Sequence, residues 1–273
     1  MTAVRDLLDE RYGAGAIPAT LAALTPAIET MLAHRSVRAY LDKPVGDDLL
    51  AAIMAGAQSA ASSSNLQAYS VVAVDDAERR KRFAHLVGDQ KHVAESPLFL
   101  VWLADLSRLE RVADQHDTEA VALDYLEMFV IALVDVALAA QNAALAAESL
   151  GLGTCYIGGI RNRPEDIAAE LRLPPLVMPA FGMCVGWPDE ARAGSVRPRL
   201  AQPAILHRDV YSSSAEQQPL EQYDGVMAKF YADNKMRGRD WTSMSAKRVS
   251  STEALTGRDR LREALEGFGF KLR

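Results

Sequence analysis

Two compact pairs of arginines are the residues of this sequence best suited to bind an anion. The segment His34–Arg38, HRSVR, holds two guanidinium groups three residues apart, with a serine hydroxyl between them. Arg197 and Arg199 flank a proline, which stiffens their spacing. A guanidinium presents paired N–H donors that match the oxygens of a phosphate. Each pair also fits a solvated basic turn, but in an acidic chain the two pairs suggest the hypothesis that both converge on one anionic ligand.

Two further segments could supply neutral hydrogen bonds to a ligand. Residues 62–67, SSSNLQ, carry hydroxyl and amide groups between a predicted helix and a predicted strand, where they could meet the polar edge of a heterocycle. The same residue types also favour capping and turns without any ligand. Residues 156–161, YIGGIR, stand at the end of a predicted strand. Their paired glycines let backbone N–H groups approach a ligand closely, or form an ordinary tight turn.

The sequence shows no residues that would perform catalysis by themselves. It contains no HExxH, Walker or GxSxG motif and no pair of carboxylates that stands out as acid and base. The five histidines show no metal-ligand spacing, so no metal is expected. Cys155 and Cys184 lie in apolar segments, as buried thiols in a reducing compartment would. Anion and amide donors without a nucleophile indicate that a bound cofactor brings the reactive group.

The elements that must position these segments combine helices with short strands. Apolar spacing and terminal residues predict helices over residues 20–32, 46–60, 119–150 and 164–173. Short apolar runs bounded by turn residues predict strands over residues 69–74, 98–103, 154–157 and 181–185. The strands are irregularly separated and no GxGxxG follows one of them, so a doubly wound sheet is not expected. The pattern predicts an α+β fold with a small central sheet flanked by helices.

The helix predicted over residues 119–150 is apolar around most of its circumference. Its large apolar residues are Leu126, Phe129, Val130, Leu133, Val134, Val136 and Leu138. Such a helix must be covered on nearly all sides, either within the chain or by a partner subunit, and we expect a homodimer. The most apolar run, 128–140, contains Asp135 and falls short of the about 20 residues that cross a bilayer. No membrane span is therefore expected.

Charge and composition set the remaining limits. The 30 basic and 36 acidic residues give a net charge of −6, which disfavours nucleic-acid or acidic-membrane binding because phosphate neutralisation needs surplus lysine and arginine. The first residues, MTAVRDLLDE, do not resemble a signal peptide, so a cytoplasmic location is expected. Residues 186–202 are rich in proline, glycine and charge and predict an extended surface connection. The polar, basic residues 233–251 predict a mobile loop.

Seven segments together resemble one known family. They are HRSVRAY, SSSNLQ, GDQKHVAE (88–95), AAQNAALAAESLGLG, YIGGIRN, LPPLVMPAFGMCVGWP and RPRL, in this order. This series resembles the FMN-dependent nitroreductase family, with its closest likeness to the NADPH-dependent oxygen-insensitive nitroreductases and flavin reductase P. The resemblance runs from about residue 27 to about residue 241. It implies an N-terminal extension over 1–26, a single FMN-binding domain over 27–273, a mostly antiparallel sheet and an intertwined homodimer.

The resemblance also assigns FMN-binding roles to individual residues. The phosphate and ribityl chain would be held by His34, Arg35, Ser36, Arg38 and Arg199. The flavin would be contacted from the other subunit by Ser62, Ser63, Ser64 and Gln67, and at its polar edge by Gln90. Tyr156, Ile157, Gly158 and Gly159 would lie along the ring. Arg197 stands where the family usually has a lysine near the pyrimidine, and Asn65 replaces an aromatic residue expected beside the substrate.

The activity that the resemblance implies is ping-pong reduction of nitroaromatics, quinones or related small electron-poor acceptors by NADPH. The hydride would be carried by flavin N5, so no protein residue is expected to be catalytic. Arg239, in a basic segment with Lys235 and Arg237, would contact the NADPH 2′-phosphate, unless this segment is only a solvated loop. Two alternatives remain open. One is an NAD(P)H:flavin reductase that supplies reduced FMN to a monooxygenase, and the other is a non-catalytic flavin carrier or sensor.

Overall fold

The computed structural model describes residues 2–13, 25–192 and 194–273. Its contacts divide the chain into two compact units. The unit that we call the sheet unit comprises Ser36–Ala193 and Thr256–Arg273, and the helical unit comprises Met1–Arg35 and Gly194–Leu255. The predicted boundary at residue 26 and the single domain over 27–273 stay predictions.

Helices and short strands alternate irregularly along the chain. The helices are α1 (Thr2–Tyr12), α2 (Pro26–Ala33), α3 (Asp47–Gln58), α4 (Ala77–Leu86), α5 (Lys91–Glu95), α6 (Ser107–Gln115), α7 (Leu126–Ser149), α8 (Pro164–Leu171), α9 (Gln217–Asp233), α10 (Trp241–Arg248) and α11 (Leu261–Gly267). The strands are β1 (Tyr69–Val74), β2 (Leu98–Asp105), β3 (Gly153–Ile157) and β4 (Val177–Gly186). Short 3₁₀ turns lie between several of them, including Ser63–Asn65 and Gly158–Asn162.

The four strands form one antiparallel sheet in the order β1-β2-β4-β3. Every residue of β2 is buried, because its alternate side chains enter two different core clusters. Leu100 and Trp102 pack on the side of α3 and α7, whereas Phe99 and Val101 pack with residues of α4 and α8. The predicted α+β fold, with a small antiparallel sheet flanked by helices, is confirmed.

Three strands are longer than predicted, β3 by one residue at Gly153 and the other two by more. β1 has the predicted bounds, but β4 begins at Val177, four residues before the predicted start. Pro179 lies within this added part and pairs with Leu103, where the register between β2 and β4 shifts. A proline cannot donate to the sheet, so an irregular position is where a strand tolerates one. β2 likewise continues to Asp105.

The predicted start of the helix over residues 119–150 is wrong, because the helix begins at Leu126. The structure has a 3₁₀ turn at Val121–Asp124 and extended backbone at Tyr125, so that α7 spans 24 residues. The end of the chain explains the break. The Arg273 N–H donates to the Asp124 carbonyl, and the Leu126 N–H donates to the Arg273 carbonyl, at 2.9 and 3.3 Å. These backbone groups are therefore engaged outside the helix.

Helix α7 has two different faces. Its small residues, which include Ala139, Ala143 and Ala147, are buried in the core. The opposite face leaves large apolar side chains 38–49% exposed, namely Leu126, Val130, Leu133, Val134 and Leu138. Within the described part of the chain, α7 is the one helix whose length and apolarity would suffice to cross a membrane, and 44% of that stretch is buried inside the protein.

The other predicted elements meet the structure to different degrees. The helix predicted over 46–60 is α3, and that predicted over 164–173 is α8, which ends at a left-handed Arg172. The helix predicted over 20–32 corresponds to α2, and residues 20–24 lie outside the described residues. The described residues of 187–201 form no helix and only one isolated bridge, at Pro188, as expected for a connection.

The prediction of a mobile loop over 233–251 is wrong for residues 241–248, which form helix α10. The Asp240 carboxylate accepts a hydrogen bond from the Ser243 N–H at 2.8 Å and so caps the helix. Asp224 of α9 accepts a hydrogen bond from the Thr242 N–H at the same distance. A cap and a tertiary contact thus fix a segment whose composition is typical of a loop.

Candidate functional site

The two predicted arginine segments are joined in the helical unit by a third arginine. Arg11, at the end of α1, donates from Nη2 to the His34 carbonyl at 2.5 Å and from Nη1 to the Arg197 carbonyl at 2.9 Å. The Arg11 carbonyl accepts a hydrogen bond from the Arg199 N–H at 2.7 Å. The segments that carry Arg35 and Arg199 therefore lie on either side of one guanidinium group.

The side chains of Arg197 and Arg199 are exposed and have weak contacts. The Arg197 guanidinium carbon lies 5.6 Å from the centre of the Phe230 ring, and Nη2 lies 3.9 Å from the Met236 sulfur. Arg199 donates from Nη1 to the carbonyls of Arg197 and Pro198 at 3.2 and 3.3 Å. Over the described residues, neither side chain has a salt bridge to a carboxylate. Both charges can therefore serve an anionic ligand.

A cavity of about 520 Å³ opens beside these two arginines. Its lining comprises Tyr12, Arg197, Arg199, Leu200, Gln202, Ile205, Tyr223, Met227, Tyr231 and Trp241. The Tyr223 hydroxyl donates to the Pro198 carbonyl at 2.8 Å, and burial raises the pKa of this phenol. The cavity thus combines aromatic walls with two cations at its edge.

In the sheet unit, the rest of the first arginine segment follows the edge of β3. Ser36 forms a parallel bridge with Thr154, and the Val37 N–H donates to the Thr154 carbonyl at 2.8 Å. A Cβ atom on Gly153 would lie 2.5 Å from a Val37 methyl carbon, so only glycine allows this close approach. Arg38 remains exposed beside the strand that leads to the predicted glycine turn.

The glycine turn and Gln90 lie together, as their predicted common role requires. β3 ends at Ile157 and the chain continues as the 3₁₀ turn Gly158–Asn162. A Cβ atom on Gly159 would lie 2.5 Å from the Val87 carbonyl oxygen and 2.8 Å from Nε2 of Gln90. Gln90 itself donates to the Val87 carbonyl at 2.9 Å. Gly159 therefore packs its backbone directly against Gln90.

Tyr156 precedes this turn and is 37% exposed. Its ring packs edge-on against Phe181 with 5.3 Å between centroids, and its hydroxyl lies 3.5 Å from Oε1 of Gln141 on α7. Burial of the ring, and then the Glu148 charge, raise the pKa of the phenol well above its usual value. A neutral, half-exposed aromatic ring is suited to lie against a planar ligand.

Asp135 anchors the serine segment 62–67 to α7. Its buried carboxylate accepts hydrogen bonds from the Ser62 hydroxyl at 2.7 Å and from the Ser63 and Ala68 N–H groups at 3.1 Å each. The Ser62 hydroxyl also accepts a hydrogen bond from the Gln67 N–H at 2.7 Å. Ser62 therefore shapes the loop, and its hydroxyl already has two partners besides the predicted flavin.

The other predicted residues of this loop are exposed and have unusual backbone angles. Ser64, Asn65 and Gln67 have φ values of 49°, 55° and 51°, in the left-handed region that non-glycine residues rarely adopt. Ser63 is exposed as well. Strain that the surroundings hold in place is common at ligand sites. For the described residues, no hydrogen bond joins this loop to the glycine turn.

Arg108 holds the other side of the serine segment. It donates from Nη1 to the Gln67 carbonyl at 2.8 Å and to the Tyr69 carbonyl at 3.2 Å, and from Nη2 to the Ser70 hydroxyl at 2.9 Å. Asp105 accepts hydrogen bonds from Ser70 and Ser107 at 2.5 and 2.7 Å. Arg108 and Asp105 thus support the segment from β2 and α6.

Arg239 lies apart from these groups in the helical unit. Its side chain is 93% exposed, and Nε lies 3.7 Å from a carboxylate oxygen of Asp240, which caps α10. Its predicted contact with NADPH stays a prediction.

Cys155 and Cys184 are free and buried, as predicted, and face each other across β3 and β4. No group of three metal-binding side chains occurs in the residues described.

Sequence reasoning missed Arg11, Arg108 and the role of Asp135. The sequence does indicate a special role for Asp135, because it is the only charged residue within the apolar run 128–140. A buried carboxylate requires hydrogen-bond partners, so its position predicts an anchoring role. The sequence does not indicate such a role for Arg11, since its three carbonyl partners lie 21, 23 and 186 residues away.

The fold is α+β, the helical unit carries exposed cations, and the sheet unit carries an amide side chain beside open backbone. The model of the nitroreductase family matches residues 31–187, and that of the family's C-terminal domain matches residues 197–273. The chain belongs to the nitroreductase family.

Relatives support this assignment. An FMN reductase (NADPH) from Bacillus subtilis is 37% identical over 222 residues, which cover 79% of this chain and 88% of the relative. An oxygen-insensitive NADPH nitroreductase from Salmonella typhimurium is 39% identical, with 76% and 83% covered. The NADPH:FMN oxidoreductase from Vibrio harveyi, solved with NAD⁺, superposes with a TM-score of 0.81 at 33% identity, with 91% and 100% covered.

The first prediction concerns the pH dependence of stability, to which the Asp105 carboxylate beside the serine segment contributes. Burial by itself would raise its pKa, but hydrogen bonds from Ser70 and Ser107 and the Arg108 charge outweigh burial and lower the pKa. Its folded pKa thus lies below the unfolded value of about 3.9. The carboxylate therefore stabilises the fold above that pH, and this contribution is lost as the pH falls through the folded pKa.

We expect Asp105→Asn to lower the free energy of unfolding at pH 7. The difference in this free energy between wild type and variant should narrow between about pH 5 and pH 3. Urea unfolding at pH values from 7 to 3 measures this difference. The exposed Asp259 provides the control Asp259→Asn. A difference in unfolding free energy that stays constant down to pH 3 would contradict the lowered pKa of Asp105.

Proposed function

We propose that two-electron reduction of nitroaromatics, quinones or related electron-poor acceptors is the reaction of this chain, an FMN- and NADPH-dependent oxidoreductase of the nitroreductase family. The observation that carries the proposal is the junction at Arg11, which places the segments of Arg35 and of Arg197 and Arg199 beside each other. The names of the relatives, which include FMN reductase and NADPH nitroreductase, support the same reaction.

The donor set fits FMN. Its phosphate requires cations, and the guanidinium groups of Arg197 and Arg199 are exposed without a carboxylate partner among the described residues. Its flavin ring requires closely approaching backbone and amide donors, which Gly158, Gly159 and Gln90 would provide. A Cβ atom on Gly158 would meet only guanidinium nitrogens, at 3.6 Å and beyond, so its backbone faces open space or flexible side chains.

Each residue then has a defined task. His34, Arg35, Ser36, Arg38 and Arg199 would hold the phosphate and ribityl chain. Arg197 would stabilise negative charge at the pyrimidine, and Gln90 would bind the polar edge. Bound FMN supplies a ring that accepts two electrons from NADPH and passes them on. The protein orients the reactants and balances charge.

The proposal includes a homodimer, because among the described residues of one chain no hydrogen bond joins the serine segment to the glycine turn. Ser63, Ser64 and Gln67 would reach the flavin of the partner subunit, with Ser62 holding their loop. The exposed apolar face of α7 would form the subunit interface, since contiguous apolar surface favours association. A cytoplasmic location is part of the same proposal.

The function is tested on the purified full-length chain under anaerobic conditions. The protein is expected to be yellow, to bleach with NADPH, and to regain its colour when nitrofurazone or a quinone is added. Reduced FMN that leaves the protein on filtration would instead identify a flavin reductase, which the names of the relatives also fit. Bound flavin that NADPH cannot reduce would contradict both activities and leave a flavin carrier.

The second prediction concerns the nucleotide. If Arg239 binds the 2′-phosphate, Arg239→Ala should lower kcat/KM for NADPH about tenfold or more, the loss of one charge-assisted hydrogen bond, and leave NADH nearly unchanged. Steady-state kinetics with both nucleotides measure this ratio. Arg262→Ala, at an exposed arginine of α11, is the control. An unchanged ratio in Arg239→Ala would reject this role.

The third prediction concerns the α7 face. Val134→Glu should yield a monomer with little bound FMN, because a charge in an apolar interface is desolvated without a partner. Light scattering after gel filtration and the flavin absorbance of the same peak report both effects. Val112→Glu on α6 is matched in residue type and exposure, at 45% against 49%. A Val134→Glu dimer with full flavin content would show that the interface lies elsewhere.

A further inference from the structure

Arg11 lies in a part of the chain that the family models do not match. They begin at residue 31, so α1 precedes the matched region. Arg11 is nevertheless 5% exposed, although arginine is almost never fully buried unless its donors are satisfied. The residue must therefore have a specific set of partners.

Those partners are backbone carbonyls at the end of α2. Nε and Nη2 of Arg11 donate to the Leu32 carbonyl at 3.1 and 2.6 Å, and Nη2 also donates to His34. Because α2 ends at Ala33, carbonyls at this end have no helical partner and carry partial negative charge. A buried cation there fixes the position at which the chain leaves the helix and enters Arg35.

The same guanidinium fixes the second segment. Nη1 donates to the Arg197 carbonyl, and the Arg11 backbone carbonyl accepts from the Arg199 N–H. The next residue, Tyr12, lines the cavity beside Arg197 and Arg199. α1 therefore contacts both segments, through backbone groups that leave the side chains of Arg197 and Arg199 available.

We infer that Arg11 is a positioning residue that sets the distance between the two phosphate-binding segments before FMN binds. This inference rests on the proposed function. A guanidinium has five N–H donors in a rigid fork and can span three carbonyls, whereas a lysine ammonium donates from one point. Fixing the segments in advance removes an ordering cost that the ligand would otherwise meet on binding.

The test compares FMN with riboflavin, which has the same ring and no phosphate. The full-length chain is freed of flavin, and the Kd of each compound is measured from the quenching of flavin fluorescence. The ratio of the riboflavin Kd to the FMN Kd reports selectivity for the phosphate. A general loss of structure lowers both affinities, whereas misplaced phosphate-binding segments lower that for FMN alone.

In Arg11→Met the selectivity ratio is expected to fall about tenfold to a hundredfold, with riboflavin binding within about twofold of the wild type. Arg11→Lys, which keeps the charge but not the fork, should give an intermediate ratio. Glu10→Gln, at the exposed neighbour on the same helix, should keep the wild-type ratio.

A folded Arg11→Met chain with wild-type selectivity would overturn the inference. If that variant fails to fold, as loss of riboflavin binding would show, Arg11→Lys decides, and wild-type selectivity in it overturns the inference equally. A wild-type chain that binds neither flavin would overturn the proposed function and this inference together. A wild-type chain that binds FMN, with variants that do so equally well, would overturn the inference alone.

Discussion

Irregular backbone beside a binding site must find hydrogen-bond partners, and in this chain charged side chains from distant elements supply them. Arg11 serves the carbonyls of Leu32, His34 and Arg197, and Asp135 serves the N–H groups of Ser63 and Ala68. In both cases the charge is buried and backbone dipoles are among its partners, and the Ser62 hydroxyl is a further partner of Asp135. The loops can then be irregular, as a ligand site requires, and still be fixed in position.

The sequence predicted those elements whose signals are local. β1 and α3 are bounded by their own turn and capping residues and were located within two residues. The start of α7 and of β4 could not be predicted, because tertiary contacts decide them. Arg273 interrupts the helix before Leu126, and the irregular pairing opposite Leu103 admits Pro179 into the strand. α4 was missed because its sequence, AERRKRFAHL, is mostly charged and buries only Phe83 and Ala84.

In the candidate site, too, local sequence features could be predicted and tertiary contacts could not. Residue types and spacing indicate the arginine pairs, the serine segment and the glycine turn as candidates, because each is a short stretch of suitable donors. They could not show that Gly159 packs against Gln90, or that Ser62 is engaged by Asp135, since these contacts join residues about 70 positions apart. The least predictable contribution is that of Arg11, which lies before the residues that the family model matches.

Helix α7 connects these observations. The helix buries Asp135, which holds the serine segment, and exposes Gln141, which lies beside the Tyr156 hydroxyl. Its exposed face carries the branched residues that a partner subunit would cover. One helix therefore supports groups on the proposed flavin sites and on the proposed interface. In such an arrangement, association positions the serine segment through the same rigid element, so that loss of the interface also weakens the cofactor site.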